Sequence, residues 1–440
     1  MKHKNFKELL KHAYNQKNDS NVPVLLKYTQ TISCNLDNII YNLSYKSKFI
    51  YMNFPDNKCY IGVGQTLSDK IKSKKELIHL KKNKYNIISN TDKNLIFLGG
   101  ASFDLDKKRS YPWKRIPKGE MVIPKLLISQ LDNTIKITYI RKIDKNILPS
   151  SIIKEYNRYV NLVSNNGKKI TKNINSNVKI NSEKPNYKTY IKDINAIIKN
   201  IQKTTLNKVV ISRIVKYSLS NNISILGLIY YLNKKHSNCL NFIISFSKNN
   251  LFIGSTPEKI IQLNNKSFTI DAIAGSAKNK NHIVNSKEIA EHNFVIKHIK
   301  KEMKNITTTI TIPKTPKILN LSYIYHLYTG ISGKLKQKSH VLDILTKLYP
   351  TPALLGDPNK DALQIINKYE KINRGWYGGS IGLYDNNGNG EFYVPIRSAL
   401  IKNKNIILFS GSGIISKSNA KKEWEETTLK LSHILSFFKN

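Results

Sequence analysis

The apolar residues of this chain gather in short runs, and that spacing limits the possible folds more than any other feature. Phe49-Ile50-Tyr51-Met52, Leu95-Ile96-Phe97-Leu98 and Phe242-Ile243-Ile244-Ser245-Phe246 are β-branched and aromatic blocks. Ile135-Lys136-Ile137-Thr138-Tyr139-Ile140 alternates apolar and polar residues. Runs of this length and composition read as strands rather than helices. No stretch reaches the ~18 apolar residues of a membrane span. Met1 to Ser20 is basic but lacks the apolar segment of a secretion signal. The expectation is a non-membrane, cytoplasmic chain.

With 440 residues and 40% hydrophobic content, a sizeable core can be buried. On a soft prior of ~150 residues per domain, the length allows one large domain or two to three ordinary ones. Three cysteines, Cys34, Cys59 and Cys239, lie far apart and form no CxxC pair, which fits a reducing compartment. The formal net charge is +43. A polyanion partner such as nucleic acid would explain it. So would compositional drift, because Lys, Asn and Ile are abundant throughout and no arginine-rich patch stands out. Under either explanation a positive field favours anionic substrates.

Residues 20–150 read as short strands between turns. Residues 165–188 are rich in Asn, Lys and Ser and read as a linker or long surface loop. A helix is expected from Tyr187 to Lys203. Strand-like and helical segments alternate beyond it, with an amphipathic helix over Lys287–Lys304. Further strands are expected over Phe392–Leu400 and Ile406–Ser410, and a terminal helix over Ala420–Phe438. The fold class expected is α+β, layered.

Two glutamate pairs share an i, i+3 spacing in a chain poor in acid: Glu288 with Glu291, and Glu423 with Glu426. Carboxylates so placed share a helix face and repel unless a cation lies between them. Oxygen donors suit Mg²⁺. A solvated helix face is the other explanation. Arg397 sits among apolar neighbours, in what reads as a strand from Glu391 to Leu400, so it needs a buried anion or a structural ion pair. Gly375, Gly378, Gly379, Gly411 and Gly413 either let backbone amides approach a ligand or form ordinary turns. Lys208 leads into Val209-Val210-Ile211 and is a candidate general base or a solvated lysine. Glu258 follows a turn at Thr256-Pro257 and by itself is a plain loop acid.

Taken in order, these segments resemble the chorismate-utilising enzymes. The matching pieces run Lys208-Val209-Val210-Ile211-Ser212-Arg213, Ser255-Thr256-Pro257-Glu258, Ala272-Ile273-Ala274-Gly275-Ser276 and Glu288-Ile289-Ala290-Glu291-His292. They continue with His326-Leu327-Tyr328-Thr329, Pro350-Thr351-Pro352-Ala353, Arg374-Gly375-Trp376-Tyr377-Gly378-Gly379, Ile396-Arg397-Ser398-Ala399, Gly411-Ser412-Gly413-Ile414 and Glu423 to Lys430. The strong match covers about 190–437. A weaker one reaches the N-terminal half through Gly99-Gly100-Ala101-Ser102-Phe103-Asp104.

The resemblance implies one domain of two stacked antiparallel sheets with helices around them. Residues 187–440 would be the catalytic half and 1–186 a divergent N-terminal half. It implies that Glu291 and Glu426 bind Mg²⁺, with Glu288 and Glu423 close by, and that the ion clamps the C1 carboxylate of chorismate. Arg397, Tyr377, Lys430 and amides near Gly275, Gly411 and Gly413 would hold the substrate carboxylates, with Ser276, His326, Thr351 and Ala353 lining the site. Lys208 resembles the lysine of the members that add water, and Glu258 the acid that protonates the departing C4 hydroxyl. The implied activity is an isomerase, isochorismate synthase, serving menaquinone or siderophore synthesis. The variant that also releases pyruvate, salicylate synthase, is the nearest alternative. No glutamine amidotransferase subunit is implied, and the chain would be a monomer or weak homo-oligomer. Tyr349 stands where relatives often have His, and Leu355-Gly356-Asp357 departs from their small-residue loop.

Overall fold

The computed structural model describes residues 5–33, 36–43, 48–132, 134–164, 178–220, 224–277, 279–321 and 324–439. The short apolar runs are strands, and their continuity has a cause. Ile50 and Met52 point into one hydrophobic core, while Phe49 and Tyr51 point into another on the opposite face of the same strand, Phe49–Asn53. Phe242 and Ile244 divide from Ile243 in the same way. A strand covered on both faces needs apolar residues at every position, whereas a strand wet on one face alternates.

The strands form a 13-stranded and a 10-stranded sheet. One core lies between the sheets and joins Met52, Phe242 and Phe252 of the larger to Phe97, Leu383 and Phe392 of the smaller. The other core lies under helices on the outer face of the larger sheet, where Phe6, Leu9, Ile39, Ile152, Leu228 and Leu431 pack on Tyr51, Tyr139, Ile253 and Leu408. The result is a mixed α+β domain. Pairing is antiparallel throughout the described residues except between Val24–Ile32 and Asn86–Ser89, which run parallel. Both sheets cross the middle of the chain: Phe49–Asn53 pairs with Leu240–Ser247, and Ile96–Ala101 pairs with Ser380–Asp385.

The sequence reading needs three corrections. Residues 20–150 are not strands alone, because Leu36–Leu43 and Lys74–His79 are helices, and the helices Phe6–Asp19 and Pro149–Ser164 flank that range. The linker expected over 165–188 lies outside the described residues as far as 177. Beyond it, Val178–Lys184 is a strand at the edge of the larger sheet, paired with Lys208–Leu219. The single strand expected around Arg397 is two, Gly390–Tyr393 in the smaller sheet and Ser398–Lys402 in the larger. Pro395 lies between them and has no N–H to give a sheet ladder. The helices Tyr187–Lys203, Ser286–Met303 and Ala420–Lys439 fall where expected. No helix among the described residues is long and apolar enough to cross a membrane. Cys59 and Cys239 are buried and free.

Candidate active site

The chain passes between the two sheets twice in one place. It leaves the larger sheet after Asn250–Thr256 and enters the smaller at Lys259–Asn264, with Glu258 on the crossing. It returns from Gly390–Tyr393 to Ser398–Lys402, with Arg397 on the crossing. The two crossings are laced together. Val394 N donates to Glu258 O at 2.9 Å, Ser255 N to Arg397 O at 3.2 Å, and Thr256 Oγ1 to Val394 O at 2.6 Å. Two charged side chains are thereby carried into the interior at the seam of the sandwich.

They meet in a cleft of about 660 Å³. Glu258 is buried, and among the described residues its carboxyl group has one hydrogen-bonding neighbour, Thr351 Oγ1 at 3.4 Å. Burial pushes its carboxyl up to about 8, against the pull of Lys208, so it is protonated at neutral pH. Arg397 is also buried. Its backbone is in the left-handed region at φ 49, and its Nη2 donates to His326 Nε2 at 2.8 Å.

Lys208 opens the strand Lys208–Leu219 and is fully buried. Its Nζ lies 2.8 Å from Glu291 Oε1. Gly413, opposite Val210 on the neighbouring strand, makes room for this pair. A Cβ at 413 would collide with Glu291 Oε1 and come within 2.9 Å of Lys208 Cε. Glycine here lets the pair lie where it does, and a larger residue would displace the ends of both side chains. Gly275 is needed for another reason, a left-handed φ of 78 beside Glu288.

The glutamate pairs are not a solvated face. Side-chain exposure is 6% for Glu288, 12% for Glu291, 1% for Glu423 and 17% for Glu426. Three lysines neutralise them. Lys287 Nζ lies 2.8 Å from Glu423 and 3.5 Å from Glu288, Lys208 holds Glu291, and Lys430 Nζ lies 2.6 Å from Glu426 Oε1 and 3.1 Å from Gly411 O. Burial raises Glu288 and Glu423 to about 7, reinforced by Glu426 beside both. Glu291 goes the other way: burial raises it, but Lys208 and Lys287 outweigh burial and hold it below the ordinary range. Burial opposes the Lys287 charge, and the surrounding glutamates more than restore it.

Among the described residues, no three His, Cys, Asp or Glu side chains converge closely enough to hold a metal ion as they stand. The donor set nevertheless suits a hard cation. It comprises four mostly buried carboxylates from two helices, whose mutual repulsion is met by ammonium groups.

The residues expected at the site come together, but Gly375, Gly378 and Gly379 do not line the cleft: Gly375 stands against Trp113 and Gly379 against the Ala101 carbonyl. Glu258, Gly275, Ser276, Glu291, His326, Ala353, Tyr377, Arg397, Gly411, Gly413 and Lys430 line the cleft. Thr351 and Lys208 stand just behind it, on Glu258 and Glu291. Glu288, Glu423 and Glu426 line a wider groove that shares Ser276 with the cleft.

Sequence reasoning missed Lys287, which carried no signal in so lysine-rich a chain. It also missed the role of two buried arginines. Arg374 makes a two-pronged contact with Glu370, both bonds 2.7 Å, and donates to the carbonyls of Leu354 and Val210. Arg213 lies 3.7 Å under the Trp424 ring and donates to the hydroxyls of Thr427 and Thr428, anchoring the helix that carries Glu423, Glu426 and Lys430.

The profile of the family described as chorismate binding enzyme matches residues 8–439, so the chain belongs to the chorismate-binding enzymes. Among curated relatives it is similar to isochorismate synthase MenF of Bacillus subtilis, 26% identical over 354 residues, covering 78% of this chain and 74% of that protein. It is also similar to isochorismate synthase EntC of Escherichia coli K12, 30% identical over 244 residues, covering 53% of this chain and 62% of that protein. Among solved structures, MenF, the menaquinone-specific isochorismate synthase from Escherichia coli, superposes with a TM-score of 0.78 at 20% identity, over 98% of this chain and 100% of that one. This last likeness speaks for the fold alone.

Proposed function

We propose that this enzyme is a Mg²⁺-dependent isochorismate synthase that adds water at C2 of chorismate and expels the C4 hydroxyl. The observation that carries the reading is a protonated carboxyl in the cleft, Glu258, with a buried lysine just behind the cleft wall, Lys208, held on Glu291. Such a base and acid are what hydration with loss of hydroxide requires. A water oxygen bonds to C2, the ring double bonds shift toward C4, and the C4–O bond breaks. Lys208 passes its ammonium proton to solvent as it leaves Glu291, and its neutral Nζ then takes the proton lost by the attacking water. The proton gained by the departing hydroxyl comes from Glu258. Lys208 then ends protonated and Glu258 ionised, and both reset by exchange with solvent.

Arg397, Tyr377, Lys430 and the backbone near Gly275, Gly411 and Gly413 hold the two substrate carboxylates. Ser276, His326, Thr351 and Ala353 shape the wall. Glu291 and Glu426 would hold Mg²⁺, with Glu288 and Glu423 beside them. The ion, when bound, offsets the charge of the C1 carboxylate. The enzyme is cytoplasmic and works without an amidotransferase subunit, as a monomer or weak homo-oligomer. Relatives are named for both menaquinone and siderophore routes, and the reading stops at isochorismate, which serves either.

The test is purified protein with chorismate and Mg²⁺, without ammonia, and chromatography of the products. Isochorismate alone is expected, and Lys208→Ala and Glu258→Gln each lower its rate by about 10²–10⁴-fold. Salicylate with pyruvate would move the assignment to salicylate synthase. No conversion would refute both.

A further inference from the structure

His326 has a more specific task than lining the wall. Its ring lies between two fixed partners. On one side Arg397 Nη2 is 2.8 Å from Nε2. On the other, Nδ1 is 3.2 Å from the Gly275 carbonyl and 3.1 Å from Ser276 Oγ. A guanidinium only donates, so Nε2 must present its lone pair. A carbonyl only accepts, so Nδ1 must carry the hydrogen. The two contacts independently select the same neutral tautomer. Burial, with Arg397 and Lys430 beside it, drives the imidazole pKa well below its usual value, in keeping with a neutral ring.

The backbone is built to make this contact. Ser267–Ala277 pairs with Ile324–Leu335, and the register slips between Ala274 and Ser276, opposite His326. Gly275 sits at the slip with its positive φ. The displaced residue leaves the ladder and turns its carbonyl to the imidazole. Arg397 Nη1, by contrast, is buried with no partner among the described residues, and Arg397 lines the cleft.

We propose that His326 is a positioning residue: held between the Gly275 carbonyl and Arg397, its imidazole aims the free Nη1 of that arginine into the cleft, toward a substrate carboxylate. An uncharged acceptor orients the guanidinium without neutralising it. A carboxylate at 326 would take the charge the substrate needs, and a lysine would repel the arginine. The inference rests on the cleft being the chorismate site.

Its test has an arm that does not depend on that reading. Long-range ¹H–¹⁵N spectra of the ¹⁵N-labelled full-length protein at about pH 7 should show one neutral Nδ1–H histidine that vanishes in His326→Gln. An Nε2–H tautomer or an imidazolium at that position would overturn the proposal, whatever the enzyme's substrate. The second arm is a double-mutant cycle on chorismate kinetics. His326→Ala should raise KM by about 10-fold or more with a smaller change in kcat, roughly the loss of one charge-assisted hydrogen bond. His326→Gln should restore most of it, because a side-chain amide can also donate to Gly275 and accept from Arg397. In an Arg397→Ala background, His326→Ala should change KM less than about 2-fold. Losses that simply add would mean that His326 touches substrate itself, against the proposal. Wild-type protein that leaves chorismate unchanged would remove the functional reading, and the spectra would still decide the tautomer.

Discussion

Glu258 is the residue whose surroundings most constrain the chemistry. Its carboxyl is held up to about 8 by burial, so it keeps its proton through neutrality and loses it as pH rises past that value. A general acid must be protonated to act. The expected outcome is a kcat/KM for chorismate that falls on the alkaline side with a midpoint near pH 8. Glu258→Gln should lose that limb together with most of the rate. A flat profile to pH 9–10, where ordinary lysines begin to titrate, would assign the proton to another group. Glu258 was legible only through its place in an ordered set of motifs. Nothing in Thr256-Pro257-Glu258 says that the turn dives into the interior. Lys287 was illegible for the opposite reason: one lysine among many has no distinguishing neighbour until Glu423 is seen 2.8 Å away.

The elements were legible in proportion to how they are buried. Strands covered on both faces, such as Phe49–Asn53, appear as apolar runs, here unbroken from Phe49 to Met52. The edge strand Val178–Lys184 has mostly exposed side chains and leaves no such trace. Around Arg397 the run Phe392-Tyr393-Val394-Pro395-Ile396 is apolar throughout, because a crossing inside the sandwich is as dry as a strand. Only Pro395 marked the break. The crossings carry Glu258 and Arg397, and the strand that carries Lys208 is braced from another side. Arg374 ties the end of the helix Asn359–Tyr369, through Glu370, to the strand Lys208–Leu219 and to the turn at Leu354. Glu370 also accepts from Ser212 N at 3.0 Å. Arg374→Met leaves a buried carboxylate unpaired and should cost about 3–5 kcal/mol in urea unfolding. Changing Glu370→Leu as well should recover part of it. A cost within experimental error for the single change would show that this bond set is not what holds the turn.

Over the whole molecule, one fold-level reading held well: stacked sheets with helices around them, in a chorismate-binding enzyme. The net charge of +43 has a kinetic consequence regardless of its origin. A positive field speeds the encounter with a doubly anionic substrate, and salt screens it over a Debye length of about 10 Å at 0.1 M. kcat/KM for chorismate should fall several-fold between about 0.05 and 0.5 M KCl, while kcat changes little. Equal losses in both would point to damage at the site rather than lost steering.

The central claim is that Lys208 and Glu258 deliver water to C2 and remove the C4 oxygen. Mass spectrometry of isochorismate formed in H₂¹⁸O tests it most directly. The account predicts one ¹⁸O per product molecule, located at C2. Product without label would mean the hydroxyl migrates within the substrate, and that would contradict the mechanism.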